Sequence, residues 1–598
     1  QRINEFMNPI HFDRDRFHFA LQTLTRGVHS LIKLYCTFFN TDFKIYDFEE
    51  KNVNDDGCDI GDSDVYERID PRSIDDKFLV RIGAIHRIPS SWKQDFSEFE
   101  IETGLFYGGK PTCRLLKTSR ARICVGFFEH IQFNKLLNFD LDVRSVPREA
   151  KVTFKLVGIS APKKGGDGRT VLGWVSANVY DHQGFLVSGS RLFGLLPAAD
   201  VDFNPVATCA TGYIQKADTV ILKTDFQVYH TEVLFPEPML ITQHRAPTAT
   251  EGERRPSLSE AERKYMEKLL KKSSHLLTEE DRQVVWNSRH DLCHLSHALK
   301  HVLTSCPSWD PINMKEVHLI LSSWESLSPD EAIEFLQADF PDKIVREMAV
   351  LWLSSIGDDD LVDYLPELVQ AVKYEAYHDS ALAQFLIKRS LSSSSVCHFL
   401  FWHLKYYTGD MQFNQRFQIV LSGLLSACGR RMRAELQRQD RLIIELAAIS
   451  QKVKLCKESS RQYTLVKELE KVNSGDFVEF PIRLPINPAL KLGGLLAEQS
   501  SYFSSHTVPL KVSAANVDRR GRGSVDFIFK IGDDLRKDLV TQLMFRVMNK
   551  LWLNDGLDLR MMLYDVLPTG PMSGLIEIVP NSSTFREIHF KQGLTGSF

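Results

Sequence analysis

The chain has 598 residues, of which 43% are hydrophobic and 25% charged, and carries a net charge of −4. That length accommodates about four domains, buries a core without disulfides or metals, and with so slight a charge excludes a generally basic nucleic-acid binder. The ten cysteines form no CxxC pair, so zinc ribbons and thioredoxin-type motifs are excluded and a reducing compartment is expected.

The opening Gln1-Arg2-Ile3-Asn4 lacks the charged start and apolar run of a signal peptide and has no initiator Met, so the chain is expected to begin inside a longer protein. No stretch approaches the ~20 apolar residues of a membrane span, so any membrane contact is expected to be peripheral. Residues 15–39 read as one amphipathic helix, with Leu21, Leu24, Val28, Leu31, Ile32 and Tyr35 at spacings of three and four. Residues 49–70, with Asp55, Asp56, Asp59, Asp62 and Asp64, read as a solvated acidic linker.

Short β-like runs separated by turns then extend over residues 78–235, among them 78–82, 121–125, 152–157 and 220–222, and favour an antiparallel sandwich. A polar tip, residues 162–169, carries Lys163, Lys164 and Arg169 among glycines and reads as an exposed loop. A linker with Pro236, Pro238, Pro247 and Pro256 follows. Helical periodicity takes over until about residue 469. The stripe Val345, Met348, Trp352 and Ile356 stops at Gly357, read as a helix C-cap, and Asp358, Asp359 and Asp360 open the next helix. Successive short helices of this kind predict antiparallel pairs in an α-solenoid.

The last 120 or so residues alternate strand and helix. Strands are predicted over 510–517 and 524–531, the latter with Val525, Phe527 and Phe529 on one face, then a helix over 533–553 ended by Gly556. Two more strands, near 559–567 and 574–579, flank the turn Pro568-Thr569-Gly570-Pro571. The sharpest local feature is Lys530, near the end of an apolar strand and followed by Asp533, Asp534 and Asp538. A strand lysine beside carboxylates is how kinases grip nucleotide phosphates; an edge lysine followed by acids at a helix start fits the same spacing.

Residues 529–538 resemble the phosphate-lysine segment of phosphoinositide 3-kinases, as do 554–561 and 574–581, and 593–598 is similar to the class II version. Residues 84–89 resemble the start of that family's C2 domain, and 278–286, 347–352 and 371–375 its helical domain. Class II is favoured over class III because the N-terminal helix resembles the tail of a Ras-binding-type domain. The implied fold is multidomain α+β: an antiparallel β-sandwich of C2 type, an α-solenoid helical domain and the α+β N-lobe of a lipid kinase. The implied domains are an upstream helical tail (1–48), the acidic linker (49–70), the C2 domain (71–236), a linker (237–257), the helical PIK domain (258–469) and the kinase N-lobe (470–598).

By the family pattern Lys530 contacts the ATP phosphates, Asp533 and Asp538 line the inner pocket with Tyr564 nearby, and Glu577 and Val579 hydrogen-bond adenine through backbone groups. Ser504 and Ser505 lie in the loop over the phosphates. Lys537 stands where the family pattern has glutamine and is expected to face solvent. The catalytic loop (Asp-Arg-His-x-x-Asn) and the metal-binding Asp-Phe-Gly occur nowhere in the sequence, so no catalytic residue is assigned, the Mg2+ ligands are expected beyond Phe598, and the fragment is expected to be inactive.

The implied activity of the parent protein is transfer of the ATP γ-phosphate to the 3-hydroxyl of phosphatidylinositol or its 4-phosphate. The alternative is a noncatalytic scaffold binding membranes or partners; a related lipid 4-kinase fits less well because of the C2 domain. Implied partners are a phosphoinositide membrane and, through the upstream domain, a Ras-like small GTPase, with no nucleic acid. A cytoplasmic protein recruited peripherally to plasma and endosomal membranes is expected. Lys163, Lys164 and Arg169 are the expected membrane contact, through anionic head groups. His290, Cys293, His294, His297 and His301 read as a packed or solvated helix face rather than zinc, and Asp200 with Asp202 lacks the second cluster calcium needs.

Overall fold

The computed structural model describes residues 68–593 except 127, 161–167, 208–217, 237–258, 475–480, 518–522, 584, 586–587 and 590–592. The helix expected over 15–39, most of the acidic linker, Lys163 and Lys164 lie outside the described residues.

The first unit is a sandwich. Its longer strands are β1 (Lys77–His86), β2 (Glu98–Tyr107), β3 (His130–Asp142), β4 (Lys151–Ile159), β5 (Arg169–Asn178), β6 (Gly189–Gly194) and β7 (Ile221–Phe226). One sheet runs β6-β7-β1-β3 and the other β5-β4-β2, every neighbour antiparallel. On β1, Phe78, Val80 and Ile82 are buried while Lys77 and Arg81 are exposed, the period-two pattern of a strand with one face on a core. Arg68–Ile69, read from sequence as linker, pairs in parallel with Glu232–Val233, because Ile69 packs on the sandwich core.

Helices follow: α1 (Glu260–Leu270), α2 (Glu279–Asn287), α3 (Pro311–Ser323), α4 (Lys343–Leu353), α5 (Asp358–Ala371), α6 (Ala381–Ser392), α7 (Ser394–Tyr407), α8 (Asn414–Ala427), α9 (Gly429–Leu455) and α10 (Glu458–Asn473). Thr278 and Asp281 form a capping box at the start of α2. Asp281 also accepts the Tyr265 hydroxyl at 2.8 Å, which fastens α1. The predicted cap at Gly357 is corrected: α4 stops at Leu353, and Gly357, at φ −67°, is instead the N-cap of α5. Its three aspartates then meet the positive end of the helix dipole. α9, at 27 residues, departs from the expected short pairs.

The last unit is a sheet of β8 (Ile482–Leu484), β9 (Asn487–Leu495), β10 (Leu510–Asn516), β11 (Ser524–Ile531), β12 (Val566–Gly570) and β13 (Ser573–Glu577), in the order β8-β9-β10-β11-β13-β12. Helix α11 (Arg536–Asn554) connects β11 to β12. Pro568, Thr569 and Gly570, predicted as a turn, are strand residues, and the hairpin turns at Pro571 and Met572. The predicted strand over 559–567 shrinks to its last two residues. α7 packs on β12 and α9 on β11, and the His398 ring lies 2.7 Å from the Pro485 carbonyl. One apolar core therefore runs from Trp402 on α7 to Phe527 and Phe529.

The seam between sandwich and helices buries a carboxyl group. Glu149 accepts the Lys343 N–H at 3.3 Å, while Asp342 caps α4 through the Val345 N–H at 2.9 Å and faces the His318 ring at 3.1 Å. Burial and the facing Asp342 push Glu149 up to about 8 from 4.5. The folded state then binds more protons than the unfolded chain between these values, so stability falls as pH rises from 4.5 to about 8. Glu149→Gln should flatten that fall. Urea midpoints at about pH 5 and 8.5 test it; equal slopes for both proteins would refute it.

Candidate functional site

The site is built where β11 runs into α11. Alternation along β11 sends Phe527 and Phe529, 1% and 0% exposed, into the core, which leaves Ile528 and Lys530 on the opposite face. Across the sheet Ile528 faces Ile576, Lys530 faces Gly574 and Phe527 faces Glu577. Ile528 and Ile576 are half-buried and make an apolar floor beside the lysine. A Cβ on Gly574 would come within 2.6 Å of the Leu567 carbonyl and 2.7 Å of Leu535, so this position takes only glycine.

Beyond β11 the chain turns at Gly532, whose φ of +89° favours glycine and whose N–H donates to the Met572 carbonyl at 2.8 Å. Asp533 therefore lies in the turn and not on the helix, which begins at Arg536. From there its Oδ2 reaches Lys530 Nζ at 2.5 Å. The Lys530 ammonium holds the Asp533 carboxyl below its usual range. Asp534 points elsewhere: Arg536 binds it through Nε at 3.0 Å while its guanidinium stacks 5.1 Å from the Tyr406 ring centre. The Lys530–Asp533 pair is half in solvent, where such pairs stabilise little, so an incoming phosphate can replace the carboxylate at small cost.

The other expected residues are placed as follows. Asp538 is exposed in the first turn of α11, as is Lys537; Asp538 makes no ion pair with Lys530. Ser504 and Ser505 are exposed in the loop before β10, where Ser505 Oγ lies 3.4 Å from Thr507 Oγ1. Val508, which closes this loop, has φ +49°, a strained conformation for a β-branched residue. Tyr564 is half-buried before β12. Glu577 ends β13, its N–H donating to the Asp565 carbonyl at 2.9 Å and its Oε2 accepting the Asp565 N–H at 2.9 Å. Val579 lies beyond β13, where its carbonyl accepts the Ser582 hydroxyl at 2.7 Å.

Two residues at this site escape the sequence. A Cβ on Gly532 would lie 3.9 Å from Lys454 Nζ and 3.7 Å from Thr507, so the last turn of α9 brings a second ammonium to the corner. Arg546, on α11, pairs with Asp565. Both come from segments far along the chain from their neighbours.

In the sandwich, Arg169 is held by two carboxylates. It begins β5, and its Nη2 lies 2.9 Å from Glu100 and 2.7 Å from Glu102. Those carboxylates on β2 hold the guanidinium against the sheet, with the side chain still 23% exposed. The histidine–cysteine cluster does not share a helix face: His290, Cys293 and His294 lie in turns and His297 in a one-turn helix before His301. His290 pairs with Glu316 at 2.9 Å and the His301 ring lies 2.8 Å from the Lys272 carbonyl. Among the described residues no group of three or more His, Cys, Asp or Glu is placed to hold a metal. No described helix is long and apolar enough to cross a membrane.

Three family models match in chain order: the phosphoinositide 3-kinase C2 domain over 95–234, the phosphoinositide 3-kinase accessory (PIK) domain over 254–437, and phosphatidylinositol 3- and 4-kinase over 524–597. Sandwich, helical array and kinase-type α+β lobe in this order define a phosphoinositide kinase core. The chain is 35% identical over 590 residues to the human phosphatidylinositol 4-phosphate 3-kinase C2 domain-containing subunit beta, covering 97% of this chain and 35% of that protein. It is 32% identical over 580 residues to the mouse phosphatidylinositol 3-kinase C2 domain-containing subunit gamma (96% and 36%), and 33% identical over 430 residues to phosphatidylinositol 3-kinase 1 of Dictyostelium discoideum (71% and 26%). The chain belongs to the phosphoinositide 3-kinase family, in its C2 domain-containing, class II branch. It spans about a quarter to a third of the length of these relatives.

Proposed function

We propose that this chain supplies the nucleotide-holding part of an enzyme that transfers the ATP γ-phosphate to the 3-hydroxyl of phosphatidylinositol or phosphatidylinositol 4-phosphate. The observation that carries this reading is the Lys530 ammonium, fixed at a strand end and countered by the displaceable Asp533. ATP supplies the phosphoryl group. Lys530 would hold its phosphates, assisted by Ser504 and Ser505 in the loop above, with Asp538 and Tyr564 lining the pocket. Ile528 and Ile576 offer adenine an apolar floor, and backbone groups of Glu577 and Val579 its edge. Three residues of strand, about 10 Å, separate Lys530 from the residue opposite Glu577, so the two ends of a nucleotide can be held at once. Phosphoryl transfer is accelerated mainly by such positioning and by neutralising charge on the phosphates.

The described residues gather no magnesium ligands, so no step is derived through Mg2+. The domain limits implied by the sequence are retained as functional modules: lipid approach by the sandwich, scaffolding by the helices, nucleotide holding by the last 120 or so residues. A Ras-like small GTPase bound upstream and recruitment from the cytoplasm to plasma and endosomal membranes complete the proposal. Lys163, Lys164 and Arg169 are its membrane contact. At about 1 kcal/mol per basic residue, reversing the two lysines with Lys163→Glu and Lys164→Glu should weaken binding to anionic vesicles by thirtyfold or more. Vesicle sedimentation of the 598-residue chain at two salt concentrations tests this, and salt-independent binding unaffected by the reversals would refute it.

Equilibrium dialysis with labelled ATP tests the nucleotide site. The 598-residue chain should bind ATP with an affinity that falls in Lys530→Ala, yet transfer no phosphate to lipid vesicles. Absence of ATP binding favours the scaffold reading; lipid phosphorylation by this chain contradicts the expected inactivity.

A further inference from the structure

Helix α11 is weakly embedded for its length. Gln542 is its one buried residue among those described, and Met544 and Leu551 are 54% and 59% exposed. Charged contacts with the helical array take the place of apolar packing. Lys550 Nζ lies 2.6 Å from Asp360 and 3.0 Å from Asp363, both on α5. Arg546 Nη1 lies 3.1 Å from Asp363 while its Nη2 pairs with Asp565. Asp565 is joined to Glu577 by the two backbone-mediated bonds described above. A continuous path, Asp363–Arg546–Asp565–Glu577, therefore links the helical array to the strand end proposed to meet adenine.

We propose that Arg546 is a positioning residue through which the helical domain sets the adenine end of the nucleotide cleft. This rests on the nucleotide site proposed above. The planar guanidinium fork can hold two carboxylates in fixed directions, here one from α5 and one from the segment entering β12. Without it, Asp363 keeps Lys550 but Asp565 loses its cation, and the β12–β13 hairpin loses its tie to α5. Lys530, at the phosphate end, makes no contact in this path.

The two ends of the cleft can be tested separately with adenosine and ATP. In the 598-residue chain, Arg546→Met should weaken adenosine and ATP binding alike, by about tenfold, whereas Lys530→Ala should weaken ATP alone. The near-isosteric Asp363→Asn should weaken both ligands by a smaller factor, and combining it with Arg546→Met should add little, as expected of two groups in one path. Hydrogen exchange over residues 564–579, measured without nucleotide, should speed up in both single variants. Unchanged adenosine affinity in folded Arg546→Met and Asp363→Asn proteins, or additive effects in the double variant, would overturn the proposal. If the unaltered chain binds neither ligand, the nucleotide reading itself has failed and the proposal falls with it. Faster exchange in the variants would then show that the path is structural only.

Discussion

In the full-length protein, Lys530→Ala should lower lipid phosphorylation by roughly 10²–10³, the typical cost of removing one preorganised group from developing charge. The fold should survive, because Lys530 lies at the end of β11 with its ammonium toward solvent and Asp533, while the core contacts of that strand come from Phe527 and Phe529. Steady-state kinetics with unchanged thermal melting is the expected result. Activity within a few-fold of the unaltered protein would mean that the phosphates are gripped elsewhere, with Lys454, beside Gly532, one alternative cation.

Glu375→Leu should destabilise the helical array by about 3–5 kcal/mol. Glu375 Oε1 lies 2.8 Å from Arg346 Nη2, with side-chain exposures of 7% and 3%. Arg346 also donates to the carbonyls of Leu336 at 2.9 Å and Ala371 at 3.2 Å. Close by, the fully buried Arg416 donates to the Val372 carbonyl at 3.1 Å. Arg346 alone pairs with this carboxylate, while Arg416 donates to the Glu375 backbone carbonyl and feels the carboxylate's charge. Removing the carboxylate leaves both cations without its charge in a low-dielectric interior. Urea unfolding of the 598-residue chain reads the loss directly, and a change below about 1 kcal/mol would show that backbone carbonyls alone satisfy the cluster.

Lys530 stands in a segment that the sequence singles out, and the reason is local. β11 declares itself because one face is buried and the other open, so period-two alternation survives in the sequence. The start of α11 was misplaced by three residues because Asp533 and Asp534 suit a first helical turn as well as they suit the Gly532 turn they occupy. Gly357 reads as a C-cap because glycine ends helices more often than it begins them, but the three aspartates after it make it the N-cap of the next helix. Arg169 looked like part of a basic tip because its neighbours in sequence are glycines. Its partners, Glu100 and Glu102, lie 69 and 67 residues away. The same limit hides Arg546, whose partner Asp363 is 183 residues distant. Chain-order reading finds strands; it does not find charges that meet across long stretches of sequence.

The lipid product of the full-length protein is the decisive measurement. Given phosphatidylinositol vesicles, magnesium and ATP labelled at the γ-phosphate, that protein should place the label on the inositol 3-hydroxyl, and Lys530→Ala should abolish most of it. Vesicle binding without any labelled lipid, or label at the 4-hydroxyl, would contradict the assignment of this lobe to a phosphoinositide 3-kinase reaction.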